Sequence, residues 1–190
     1  MGLSLVTKTE YKQYLGLNSP TQDSLIDLII PKVSELVKTF CRRTFIDYAI
    51  DAKIEFHEGG STIIVPEEYP VLSIVSLEYS EDYGKTYTTL VEYDDYALSK
   101  FSNNIVSTWY DGFPVAINGY KLTYKAGFLV VPEDLKLAVL DLITYYIKND
   151  MAIHSNKAPG TNDIQIQYVT TTNLPSHIKR VLDQYAANYS

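Results

Sequence analysis

One cysteine in the whole sequence leaves no partner for an internal disulfide and excludes a cysteine-rich metal centre, which fits a chain kept in a reducing interior. No apolar run approaches the ~20 residues that cross a bilayer, and the first residues lack the basic-then-apolar pattern of a secretory signal. The expectation is a soluble chain with no membrane partner. Positive charge is short as well: 16 Lys and Arg stand against 23 Asp and Glu, a net −7, whereas a general nucleic-acid clamp carries a basic patch. There is no phosphate-binding loop, because Gly59-Gly60 has no Lys-Ser or Lys-Thr after it. The three histidines, His57, His154 and His177, fall in three different kinds of element with no motif around them, so neither a metal site nor a catalytic triad is signalled.

What the chain does have is tyrosine and locally concentrated acid. It carries 17 tyrosines, a residue that favours half-buried sheet faces and interfaces where one end stays wet. Between Asp47 and Asp95 twelve carboxylates face only Lys53 and Lys85, a local net of −10. The length of 190 residues suits one domain able to bury roughly 70% of its unfolded surface.

The hydrophobic period divides the chain into helix, sheet and helix. Thr7-Lys8-Thr9-Glu10 has the form of a capping box, and Gly16 supplies the C-cap of the short helix it opens. Ser19-Pro20-Thr21-Gln22 repeats the start signal, and Leu25, Leu28, Ile29, Val33, Leu36, Val37 and Phe40 follow at helical spacing. Pro31 inside that run predicts a kink or two helices meeting. From Asp51 to Gly127 the period falls to 2. Ile54 and Phe56 alternate with charges, Ile63-Ile64-Val65 is a short apolar strand, and Tyr120, Leu122 and Tyr124 alternate with Lys121, Thr123 and Lys125. Asp82-Tyr83-Gly84-Lys85, Asn103-Asn104 and Asp111-Gly112 read as three hairpin turns. Val131-Pro132-Glu133-Asp134 starts a long helix whose main face is Leu135, Ala138, Val139, Leu142, Ile143 and Tyr146. Leu137, Leu140 and Ile147 form a second apolar stripe on it. A helix apolar on two sides needs two partners, and one of them is expected to be another subunit. Beyond it, polar linkers flank a lone strand around Ile164, Ile166 and Tyr168, and Pro175 opens a final helix with Ile178, Val181, Leu182 and Tyr185 on one face. The fold class is α+β: a small helical bundle, residues 1–150, with an antiparallel sheet inserted over about 51–127, and a C-terminal arm and helix over 151–190.

No set of residues carries catalytic chemistry. Cys41 lies beside Arg42 and Arg43, but helical spacing makes it a core residue. The pairs Glu67-Glu68 and Asp94-Asp95 are too close in sequence to serve as a glycosidase couple, since neighbours on a strand point to opposite faces. The tyrosines with Trp109 offer the best small-ligand idea, a sugar-stacking platform, which makes a carbohydrate-binding or adhesion module the alternative reading. More often such residues pair across strands or fill an interface. No cofactor and no metal are expected.

Taken in order, the elements resemble the head-tail connector (adaptor, or head-completion) family of long-tailed bacteriophages. The resemblance rests on Leu5-Val6-Thr7 with Glu10 to Gly16, on the helix ending Val37-Lys38-Thr39-Phe40-Cys41-Arg42-Arg43-Thr44-Phe45, on Tyr69-Pro70-Val71 with Ile74-Val75-Ser76, and on Leu122 to Phe128 followed by Val131-Pro132-Glu133-Asp134-Leu135-Lys136. The Leu174-Pro175 helix is similar too. The resemblance implies a structural, non-enzymatic virion protein, assembled in the host cytoplasm. It implies a homo-oligomeric ring, commonly of twelve copies, docked beneath the portal protein, extending the DNA channel without sequence-specific binding and receiving a tail-side connector or tail protein. On this reading Leu137, Leu140 and Ile147 are ring contacts, while Ile164, Ile166, Tyr168, Ile178, Val181, Leu182 and Tyr185 dock on the portal.

Overall fold

A computed structural model describes residues 2–155 and 174–187, with the side chains of 149–155 left out of the description. Two compact units divide it: a helical unit from residues 1–43 and 131–190, and a β unit from Thr44–Val130 inserted between its halves.

The helical unit begins with α1 (Lys8–Leu15). Thr7 and Glu10 form the capping box in full, each accepting from the other's backbone, and Gly16 closes the helix in the left-handed conformation. In α2 (Asp23–Cys41) the helix runs unbroken through Pro31, so two separate helices do not form there. The Ser19-Pro20 signal acts one turn early: Ser19 Oγ accepts from Thr21 N at 3.3 Å, and the helix proper starts at Asp23. α3 (Glu133–Ser155) starts after Pro132, whose carbonyl accepts from Lys136 N at 2.8 Å. Its expected core face is buried at Leu135, Ala138, Val139, Leu142 and Ile143, with Tyr146 half-buried. The last helix, α4 (Ser176–Tyr185), packs on both α2 and α3.

That packing bears on two apolar surfaces read from the sequence. Leu140 and Ile147 are each only 7% exposed, and of the second stripe only Leu137, at 50%, reaches solvent. α3 packs on α2 and α4 of its own chain, and α1 bonds to it as well, Tyr14 OH donating to Asp141 at 2.6 Å. Correspondingly, the α4 residues Ile178 and Leu182 are buried in this core, while Val181 and Tyr185 are half-buried. Polar contacts hold α4 in place as well. Ala187 N donates to the Cys41 carbonyl at 2.9 Å, satisfying an acceptor that the end of α2 leaves open. Arg43 Nη1 donates to the Tyr185 carbonyl at 3.3 Å, and Tyr185 OH to Asp134 at 2.6 Å. Two residues of the face expected to dock, Ile178 and Leu182, are thus packed within the helical unit. The strand expected around Ile164, Ile166 and Tyr168 lies outside the described residues.

The β unit holds two antiparallel sheets where one was expected. The first has the order β1 (Lys53–His57), β7 (Tyr120–Ala126), β3 (Val71–Tyr79), β4 (Thr88–Thr89); the second β2 (Ile63–Ile64), β6 (Ile105–Ser107), β5 (Tyr96–Leu98). β7 is the central strand and buries Tyr120, Leu122, Tyr124 and Ala126 on one face, the alternation its sequence displays. These side chains form a core with Leu77 and Val71 of the first sheet and Ile64, Tyr96 and Ile105 of the second. Asp82 to Lys85 turns β3 into β4 and Asn103-Asn104 joins β5 to β6, as expected. Asp111-Gly112 is a turn but not a hairpin, because β6 pairs with β2 and β5 whereas β7 pairs with β1 and β3. The unit's ends meet: Phe128 N donates to the Phe45 carbonyl at 2.6 Å. Gly127 (φ +99°) passes so close that a Cβ there would stand 2.1 Å from that oxygen, so only glycine fits.

Candidate assembly surfaces

The residues that sequence singled out for chemistry are nearly all consumed by structure. Cys41 is fully buried, and burial pushes its thiol up to about 12, so it is no thiolate nucleophile. His177 is exposed and 4.0 Å from Asp141, and the His154 side chain is outside those described. Glu67 faces solvent with Lys53 at 2.7 Å, whereas Glu68 is buried and accepts from Thr44 N at 3.1 Å. Asp95 holds a turn, accepting from Val91 N at 2.8 Å and from Trp109 Nε1 at 3.3 Å. Among the described residues no group of three or more His, Cys, Asp or Glu is arranged to hold a metal ion, and no helix is long and apolar enough to cross a membrane. Part of the aromatic set is knitted together, for Trp109 meets Tyr79 and Phe113 edge-on and Tyr120 packs against both of those rings, whereas Tyr83, Tyr93 and Tyr110 are exposed.

Sequence reasoning missed a buried ionic cluster on β1. The strand faces the opposite way from its apolar content: Glu55 is buried, while Ile54 and Phe56 are exposed. Glu55 Oε1 accepts from Tyr124 OH at 2.5 Å and lies 2.9 Å from Lys53 Nζ; Oε2 lies 3.1 Å from His57 Nε2 and 3.3 Å from Glu67 N. Burial opposes ionisation of this carboxyl, but the hydrogen bonds from His57, Tyr124 and Lys53 and the Lys53 charge outweigh it and hold its pKa down to about 2. Tyr124 OH also accepts from Glu68 N at 3.0 Å. The cluster ties β1, β7 and the segment entering β3 together. Its contacts are those of a structural clasp.

What remains is exposed apolar surface. In the β unit Phe101 and Tyr110 are essentially fully exposed, and Val115, Tyr93 and Tyr83 are more than two-thirds so. In the helical unit Leu28 and Leu137 are about half exposed. Large side chains placed in water at loop tips mark surfaces for other macromolecules.

The fold is mixed α and β, and several aromatic side chains stand exposed on it. A family model described as "Head completion protein" matches residues 4–187, and the chain belongs to that family. Its role is therefore that of a structural head-completion protein of a virion. The same fold occurs in solved particles. A chain in "Neck of empty GTA particle computed with C6 symmetry" is 13% identical with a TM-score of 0.62, over 98% of this chain and 91% of that one. A chain in "Virion of native gene transfer agent (GTA) particle" is 13% identical at 0.63, with the same coverage. A third, in "Neck of native GTA particle computed with C12 symmetry", is 14% identical at 0.57, over 100% and 97%. No curated protein matches the sequence.

Proposed function

We propose that the chain forms a ring beneath the portal of a DNA-filled head, continues the DNA channel and receives the tail or a tail-side connector. The observation that carries this reading is the fold, which is shared over nearly the whole chain with subunits of particle necks solved under sixfold and twelvefold symmetry. A ring of twelve is the proposed copy number in the virion. Net acidity supports passage of DNA without retention, because a basic lining would release counterions and bind. Assembly takes place in the host cytoplasm before tail joining.

Two contacts follow from the burial pattern. Of the helical stripe, Leu137 is proposed as a ring contact; Leu140 and Ile147 stay inside the subunit. Portal docking is proposed for Ile164, Ile166 and Tyr168 and for the half-buried Val181 and Tyr185, since Ile178 and Leu182 are buried in the helical unit. Electron micrographs of tail-less, portal-bearing capsids mixed with the purified protein test the reading. A collar of density beneath the portal is expected; density scattered over the shell, or none added, would overturn it.

A further inference from the structure

The two units differ in charge. Over residues 44–130 thirteen carboxylates stand against five lysines, a net −8, and the rest of the chain, with eleven cations against ten carboxylates, comes to +1. Within the helical unit many carboxylates already have cations: Asp23 and Asp27 pair with Lys8, Glu10 and Glu133 with Lys136, Glu35 with Lys38. On the outer side of α4, Lys179 and Arg180 are adjacent and exposed, and neither pairs with a carboxylate among the described residues.

The β unit has the reverse surplus, and it has apolar surface in the same place. The turn at 91–95 and the turn at 109–112 are laced together. Thr108 N donates to the Asp95 carbonyl at 3.0 Å, Thr108 Oγ1 donates to the Asp94 carbonyl, and Trp109 Nε1 reaches the Asp95 carboxylate. Tyr93, 75% exposed, and Tyr110, fully exposed, therefore stand at one end of the second sheet together with half-exposed Val91. Around them Glu92, Asp94 and Asp111 are exposed and pair with no cation among the described residues. The result is an uncovered aromatic centre with an acidic rim, the composition of an interface rather than of a solvated loop.

We propose that this rim is one half of the contact between neighbouring copies of the chain, and that the Lys179 and Arg180 face of α4 on the next copy is the other half. The inference rests on the ring reading and names its joint. A closed ring needs two different, mutually complementary patches on each subunit, and here they carry opposite sign on the two units. A two-fold dimer through the rim would instead set acid against acid. Tyr93 and Tyr110 supply the desolvated anchors and the charges set register and partner.

Charge reversal tests it. One variant carries Glu92→Lys and Asp94→Lys, the other Lys179→Glu and Arg180→Glu. All four positions are exposed, so both variants should fold with wild-type thermal midpoints to within a few degrees. Neither alone should form rings, by native mass or on portal-bearing capsids, because each then presents two patches of like sign. An equimolar mixture should restore rings, with the two variants alternating and hence an even copy number. A pairing confined to one chain could not be rescued by mixing. If wild type forms rings and either variant does so alone, or if the mixture fails, this joint is wrong while the ring reading stands. If wild type itself forms no ring, both fall. Should a reversed chain fail to fold, Tyr110→Ala carries the same test at a fully exposed side chain: assembly weakened about tenfold is expected, and unchanged assembly overturns the proposal.

Discussion

Replacing Glu55 with glutamine removes one charge and almost no volume from the β unit, and its cost follows from the cluster's geometry. Four donors converge on the two carboxylate oxygens: Tyr124 OH, Lys53 Nζ, His57 Nε2 and Glu67 N. A carboxamide offers one acceptor oxygen and turns two donors of its own toward the rest, so at least two of the four lose their acceptor. At ~1 to 3 kcal/mol for each buried donor so stranded, the loss is about 3 kcal/mol. The titration gives the same size. Folding lowers the pKa of Glu55 from its ordinary 4.5 to about 2, which corresponds to about 3 kcal/mol. The sign is fixed by the depression: the contribution is complete above pH 4.5 and is lost as pH falls through 2. Urea unfolding of the two proteins side by side should therefore show Glu55→Gln less stable by about 3 kcal/mol at pH 7, with the gap narrowing below pH 4.5 and closing toward pH 2. Other carboxylates held low, such as Glu10, Asp23 and Glu78, titrate in both proteins and cancel in the difference. A variant as stable as wild type at pH 7, or a gap that stays constant down to pH 2, would refute the clasp.

Leu140→Ala should destabilise the protein by about 2 to 4 kcal/mol in thermal or urea unfolding, because the side chain is buried in its own subunit, whereas Leu137→Glu should leave stability nearly unchanged and reduce ring formation. Equal stability losses at the two positions would contradict the burial pattern. Cys41, with its thiol pushed up to about 12 and no exposed surface, should resist a thiol reagent in the native protein and react only under denaturant; rapid native labelling at pH 8 would show that α4 does not cover it.

Elements whose determinants are local were legible in the sequence. The capping box at Thr7 and Glu10, the C-cap at Gly16 and the alternation of β7 each depend on residues a few positions apart, and each forms as its pattern predicts. β1 was legible as a strand but not in its orientation. Alternation gives two faces, and the choice to bury Glu55 rather than Ile54 and Phe56 is made by Tyr124 and Glu67, donors that only folding brings near. Asp111-Gly112 shows the same limit for turns, since turn chemistry is local while strand pairing is not. The second stripe of α3 and the apolar face of α4 were each read as surfaces awaiting another molecule. Leu140 and Ile147 of the one and Ile178 and Leu182 of the other are buried within the helical unit, and residues so distant in sequence carry no mutual signal.

The bond from Phe128 N to the Phe45 carbonyl bears on how the chain folds. The helical unit is discontinuous, and uniting its halves while 44–130 is unstructured means closing a long loop. Relative to a connection of a few residues, that closure costs about 2 to 3 kcal/mol in chain entropy. Once the β unit has formed, its two ends are held side by side, and the halves of the helical unit are separated by a short connection in place of a long loop. Forming the insert first therefore lowers the entropic cost of completing the helical unit. The same closeness of ends is the geometry that tolerates a domain insertion, since the insert leaves the chain close to where it entered.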